Sequence, residues 1–185
     1  MKNANPVSLG FRALAAVLAG LFFAGCGSSK PSSETAAPKT IFDHFSIQVG
    51  GHPASLQIAV TQAEQEHGLM QRPDLGPDEG MVFVYAQPQQ MSYWMRNTPE
   101  PLDIAFLTRD GAVAETYDLL PLDERPVNSH GDEMQFALEM PKGWFAAHNV
   151  RPGDRIDLKA LAAALRQRGF DPAKYRISEA SPASP

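Results

Sequence analysis

The stretch MSYWMRNTPEPLDIAFL, residues 91–107, predicts two β-strands joined by a stiff polar turn. Side chains alternate along a strand, so residues two apart share a face. The first strand would place Met91, Tyr93 and Met95 on one face and Ser92, Trp94 and Arg96 on the other. Pro99 and Pro101 fix φ and remove two backbone donors, which stiffens the turn. We expect any functional site of the protein to lie at this corner.

Two glycine-containing turns predict β-hairpins on either side of the corner. Gly50-Gly51 follows the alternating run Phe45–Val49, and Asp110-Gly111 follows the run that ends at Leu107. Glycine adopts the positive φ that tight hairpin turns require. A helix is predicted to begin at Thr61, because Thr61-Gln62-Ala63-Glu64 matches the capping box.

Further apolar runs complete the predicted fold. Residues 81–85 are apolar at every position, which is typical of a strand covered on both faces. Residues 134–140 alternate, which puts Glu139 on the face opposite the apolar stripe. A short helical segment is predicted over 142–149, a last short strand over 155–158, and a C-terminal helix that ends at Gly169. Seven or eight short strands with so few helices predict a mainly β protein, a single antiparallel sandwich or barrel of the jelly-roll kind.

The N-terminus predicts export and lipidation. A positive n-region precedes the apolar run 13–24, which is too short to span a bilayer comfortably. Phe23-Ala24-Gly25-Cys26 resembles a bacterial lipobox, with Phe23 where leucine is usual. The resemblance implies cleavage of a signal peptide, residues 1–25, and acylation of Cys26, the only cysteine of the chain. An ordinary secretory peptide with an incidental cysteine is the alternative.

The lipid anchor would hold the domain in the cell envelope, facing the periplasm. Residues 26–40 are rich in Ser, Pro and Ala and predict a flexible tether. Gly27, rather than aspartate, follows the cysteine, which by analogy favours the outer over the inner membrane. Loss of Lys2 and Arg12 leaves 14 basic against 21 acidic residues, a net charge of −7. This acidic balance makes nucleic acid a poor partner.

Five stretches of the chain resemble the bacterial and archaeal family called domain of unknown function 192. They are AVTQAEQEHGLMQRPDL (59–75), EGMVFVY (79–85), YWMRNTPEPLDIAFLTRDG (93–111), FALEMPKGW (136–144) and VRPGD (150–154). The resemblance implies a mainly β, jelly-roll-like domain, often exported, and implies no activity. On this basis the domain spans residues 41–158, and residues 159–185 form a C-terminal helix and a disordered tail.

Trp94, Asn97 and Asp103 form the first candidate site. An exposed indole beside an amide and a carboxylate suits a carbohydrate, because the ring stacks on sugar C–H groups while the polar groups bind hydroxyls. The structural alternative buries Trp94 in the core, places Asn97 at a left-handed turn position and uses Asp103 to cap turn amides.

Asp103 and Glu139 form the second candidate, a carboxylate pair for glycoside cleavage. Both are predicted to face away from the main apolar stripe, so they could meet in a groove. The alternative is two independent solvated or salt-bridged carboxylates. Ser129, His130 and Asp132 contain the letters of a hydrolase triad, but neighbours in one loop do not converge on a point, so they are interpreted as a loop.

Metal binding is the third function considered. The five histidines show no ligand spacing. Six methionines offer soft thioether ligands for Cu(I): Met70, Met81, Met91, Met95, Met134 and Met140. Met91, Met95, Met134 and Met140 alternate with aromatic and aliphatic residues, as core positions do, so core packing is the favoured interpretation. We therefore predict no metal site and no cofactor.

The leading interpretation is a non-catalytic envelope lipoprotein that binds a ligand, such as a small molecule or glycan, or maintains the envelope. Its alternatives are a hydrolase of a glycan or cell-wall substrate that uses Asp103 and Glu139, and a periplasmic metal-handling protein. The sequence predicts no oligomeric state.

Overall fold

A six-stranded mixed sheet organises the computed structural model, which describes residues 37–177. Its strands, in spatial order, are β1 (Phe45–Val49), β2 (His52–Ala59), β3 (Glu79–Gln89), β8 (Met134–Pro141), β5 (Leu102–Thr108) and β6 (Val113–Leu119). A separate two-stranded sheet pairs β4 (Ser92–Tyr93) with β7 (Val127–Asn128). The predicted mainly β class is confirmed. The predicted signal peptide, Cys26, nearly all of the tether and the tail 178–185 lie outside the described residues.

One strand pair departs from the predicted antiparallel arrangement. β2 and β3 run parallel, whereas the other pairs of the large sheet are antiparallel. The connection between them carries helix α1 (Gln62–His67). A parallel pair needs such a crossover, because a tight hairpin can only join antiparallel strands.

Local sequence signals define the turns as predicted. Gly50 and Gly51 have φ values of 57° and 84°, and Gly111 has φ of 78°. At the start of α1 the Thr61 hydroxyl accepts from the Glu64 amide, and the Glu64 carboxylate accepts from the Thr61 amide. The predicted capping box is therefore formed.

Both faces of the large sheet are buried. One face packs on α2 (Trp144–Ala147) and α3 (Leu158–Gln167), with Leu138, Leu161 and Leu165 fully buried between them. Residues that follow α1 and surround β4 cover the opposite face, where the buried side chains include Phe83 and Ile104. A polar side chain on an inner strand therefore faces one of two cores and not solvent.

Two predicted strands are shorter than expected. Residues 91–96 alternate between buried and exposed as predicted, yet only Ser92–Tyr93 pairs as a strand, with Val127–Asn128 of the predicted loop. Residues 155–158 form two isolated bridges, one of which joins Ile156 to Val49. Helix α3 follows at Leu158 and packs on the core, so the folded body extends beyond residue 158 to Ile177.

No helix within residues 37–177 is both long and apolar enough to cross a membrane.

Candidate functional site

The corner after β4 holds Trp94 at the surface. The side chain is 48% exposed, and the Arg96 guanidinium carbon lies 5.7 Å from the centroid of its ring. Asn97 has φ of 55°, the left-handed conformation expected of its turn position. Its carbonyl accepts from the Gln71 amide at 2.8 Å. The structure thus exposes the indole, whereas Asn97 serves the turn.

Asp103 caps a turn, but a different one from the turn expected. Its Oδ2 accepts from the backbone amide of Gly143 at 2.8 Å, just before α2. Its Oδ1 lies 3.3 Å from the Lys142 ammonium, although it makes no well-aligned hydrogen bond. Asp103 does not accept hydrogen bonds from the turn amides near Asn97 and Thr98 that were its expected partners. The Thr98 amide instead donates to the Met95 carbonyl at 3.0 Å.

Asp103 and Glu139 do not form the expected carboxylate pair. Across the β5–β8 pair, Glu139 is opposite Ile104 and Asp103 is opposite Met140. Cross-strand partners share a face, so Glu139 faces the core that contains Ile104 and Asp103 faces the core that contains Met140. The sheet separates the two carboxyl groups. The predicted two-carboxylate mechanism is therefore wrong for this pair.

Glu139 instead faces a cavity of about 300 Å³, which we call the Glu139 cavity. It lies between the large sheet and the segments around α1 and β4. Four aromatic side chains contribute to its lining: Phe83, Tyr85, Tyr93 and Trp94. Thr98 joins them from the Trp94 corner, and α1 contributes polar side chains that include Glu66 and His67. The structure therefore brings together Trp94 and Glu139, but neither Asn97 nor Asp103 lines this cavity.

The Glu139 carboxyl is buried without a partner of opposite charge. Only 5% of the residue is exposed, and no described residue donates a hydrogen bond or a positive charge to it. Burial raises its pKa to about 8, because an apolar environment penalises the charged form. At neutral pH the group is mainly the neutral acid, which both donates and accepts a hydrogen bond.

Two tyrosine hydroxyls lie near Glu139. The hydroxyls of Tyr85 and Tyr93 are 3.0 Å apart and share a hydrogen bond. Burial raises the pKa of both tyrosines, and the nearby Glu139 carboxyl adds to this increase in pKa. The rings also pack: Tyr93 and Phe83 make an edge-to-face contact at 5.0 Å. Glu139, Tyr85 and Tyr93, each of which can carry a proton, thus line the same cavity.

The loop that contains Ser129, His130 and Asp132 makes structural contacts and no catalytic triad, as predicted. The Ser129 hydroxyl accepts from the Met91 amide at 2.9 Å and donates to the Gly131 carbonyl at 2.7 Å. The His130 ring instead contacts Tyr117 and Glu115 of β6, at 2.6 Å and 2.8 Å. Ser129 and His130 therefore have separate partners and do not form a nucleophile–base pair.

Metal-ligating side chains do not cluster in the part of the chain that the structure describes. No three His, Cys, Asp or Glu residues within 37–177 are placed to hold one ion. Five of the six methionines predicted to be core residues are buried, whereas Met70 is partly buried and lines the Glu139 cavity. Met81, Met91, Met95, Met134 and Met140 are all buried.

Tyr85 and Tyr93 were not among the predicted site residues. The alternation assigns Tyr93 to the core stripe, and Tyr85 ends a wholly apolar run. Glu139 itself offers the usable signal, because a glutamate in the middle of a strand between apolar neighbours must face either solvent or a cavity. From the sequence alone, Glu139 is expected to face solvent. In the structure the second face of the sheet is also covered, so Glu139 faces a cavity instead.

Fold and cavity together define the class of protein: a mainly β domain on a mixed sheet, with an aromatic-lined cavity on one face. The particular family follows from the comparison with protein-family models. The model of domain of unknown function 192, described as an uncharacterized ACR, matches residues 45–158. The chain belongs to this family.

Solved structures of similar proteins support the same fold. A protein of unknown function from Novosphingobium aromaticivorans is 35% identical, with a TM-score of 0.60, and the match covers 70% of this chain and 99% of that one. A putative transcription regulator from Sinorhizobium meliloti 1021 is 28% identical, also with a TM-score of 0.60, and the match covers 64% of this chain and 95% of that one. No curated protein matches the chain significantly.

Proposed function

We propose that the protein is an envelope lipoprotein whose folded domain is a non-catalytic binding module for a small ligand. The ligand would occupy the Glu139 cavity and contact Trp94 at its rim. A half-exposed indole beside a deeply buried, unpaired carboxyl carries the proposal. Ligand sites combine apolar and aromatic walls with a few polar groups that fix orientation. Because the Glu139 carboxyl lines a cavity and has no hydrogen-bond partner among the described residues, it is available to a ligand.

The position of Asp103 argues against the hydrolytic role in which Asp103 and Glu139 act together. Glycoside cleavage needs two carboxyls that flank one bond. Asp103, the expected partner of Glu139, is engaged with Gly143 and Lys142 on the other side of the sheet. The Glu139 carboxyl can therefore bind a ligand group through a hydrogen bond or through charge.

Replacing Trp94 tests the binding site. Trp94→Ala should abolish binding of small ligands from a screened library of sugars, polyols and amines, while the melting temperature stays nearly unchanged, since the ring is half exposed. Binding is measured by calorimetry on the full chain. Leu120→Ala is the matched control, because Leu120 is 56% exposed and does not line the cavity. Equal binding by the Trp94 variant and the wild type would refute this site.

The lipid anchor is tested separately at Cys26. Cys26→Ser should leave the domain folded and release it from the membrane fraction, because acyl chains bind a bilayer by about 0.8 kcal/mol per buried CH₂. Fractionation of cell envelopes followed by immunodetection measures the release. A variant that stays with the membrane would contradict lipidation at Cys26 but would leave the binding proposal standing.

A further inference from the structure

The lining of the Glu139 cavity contains acidic side chains, whereas the described residues contribute no lysine or arginine to it. Glu139 and Glu66 contribute the carboxyl groups. An anionic ligand, such as a phosphate or a carboxylate, would meet like charge there without a compensating cation. An anion bound beside Glu139 would oppose ionisation of this carboxyl, whereas a bound cation would favour it, because the local dielectric is low. The charge distribution thus disfavours acids as ligands.

The aromatic lining favours the same sign of ligand. Phe83, Tyr85, Tyr93 and Trp94 line the same cavity as Glu139. The faces of aromatic rings are electron-rich, and rings grouped around a small space are a recurrent way to hold ammonium groups. Trp94 already accepts a cation in this structure, since the Arg96 guanidinium carbon lies 5.7 Å from its ring centroid.

We infer that the Glu139 cavity binds a ligand through a positively charged ammonium group, which pairs with the Glu139 carboxylate and lies among the aromatic rings. This inference rests on the proposed binding function and names its ligand class. The ligand would supply the counter-charge that Glu139 lacks within the described part of the chain. A volume of about 300 Å³ suits a small amine or a quaternary ammonium compound.

Binding of a cation would be coupled to release of a proton. Burial raises the pKa of Glu139 to about 8, so the carboxyl must ionise when the cation binds. Below that pKa, the affinity for a cation should fall about tenfold per pH unit. The other titratable groups facing Glu139 are Tyr85, Tyr93, Glu66 and His67. His67 is the one histidine within 37–177 that belongs to this lining, so His67→Gln is the control for its contribution.

The test compares choline with dimethylbutanol, in which carbon replaces the nitrogen and the shape is kept. Calorimetric titrations use the full chain at pH 6 and pH 8, with ethanolamine and glucose as a second cationic and a second neutral probe. We expect choline to bind at least about tenfold more tightly than dimethylbutanol at pH 8. Glu139→Gln should remove this preference and the pH dependence. His67→Gln should keep both, because the carboxylate remains.

The outcomes separate this inference from the function on which it rests. If dimethylbutanol or glucose binds as well as the two cations, and Trp94→Ala abolishes that binding, the ammonium inference is overturned and the binding function stands. If none of the four probes binds at tens of millimolar, the ammonium inference is overturned, whereas the binding function is decided by the library screen with Trp94→Ala. A Glu139→Gln variant that melts like the wild type at pH 5, yet keeps the preference for choline, overturns the role of the carboxylate alone.

Discussion

The buried Glu139 carboxyl predicts an unusual dependence of stability on pH. Its pKa is about 8 in the folded protein against a reference value of 4.5, and burial is the cause. Between these two values the folded state retains a proton that the unfolded chain has lost. Stability therefore falls as pH rises through this window, since the unfolded state binds fewer protons. The contribution is fully present below about pH 4.5 and is lost as pH rises through about 8.

The size of the effect follows from the change in pKa. One pKa unit corresponds to about 1.4 kcal/mol, so the contribution of Glu139 to the free energy of unfolding should change by at most about 5 kcal/mol across the window. Glu139→Gln should remove this contribution, because the amide keeps the shape of the protonated acid and does not ionise. The variant should match the wild type near pH 5 and exceed it in stability by several kcal/mol near pH 8.

Urea unfolding at pH 5, 6, 7 and 8 measures both curves. The difference between wild type and variant is the informative quantity, because it removes the contributions of all other titratable groups. Glu133→Gln is the control, because Glu133 is exposed just before β8 and its curve should run parallel to the wild type. If the Glu139→Gln and wild-type curves stay parallel within about 0.5 kcal/mol, the carboxyl is not held protonated and the reasoning fails.

Two further substitutions test the opposite face of the sheet and its hairpin turn by urea unfolding. Asp103→Ala should lower the free energy of unfolding by about 1–3 kcal/mol, because it leaves the Gly143 amide without its acceptor. Asp103→Asn should lower it less, because the amide oxygen can still accept. A loss below about 0.5 kcal/mol in both variants would contradict the capping role of Asp103. Gly111→Val should lower the free energy of unfolding by at least about 1–3 kcal/mol. The reason is that φ is 78° at this position and a Cβ would lie 3.1 Å from side-chain carbons of Ile156 and Leu158. An unchanged unfolding midpoint would contradict this strain.

Local sequence signals determined the secondary structure where the cause is local. The capping box of α1 and the glycine turns at Gly50 and Gly111 depend on residues at most a few positions apart, and all form as predicted. The alternation around Trp94 likewise predicted which side chains would be buried, although few of those residues pair as a strand. Backbone conformation and side-chain direction follow the chain itself, so one sequence contains them.

The candidate site depended on contacts that no local pattern contains. Asp103 and Glu139 have similar surroundings in sequence, each a carboxyl between apolar neighbours in a strand, yet register places them on opposite faces of one sheet. Which residues cover each face is decided by segments far along the chain, such as those around Tyr85 and Tyr93. The sequence by itself determined the family and the mainly β class, whereas the structure decided between the two alternatives for Trp94 and exposed its ring. Only the tertiary structure decided that Glu139 faces an aromatic cavity, because pairing over long separations sets both the register and the second covered face.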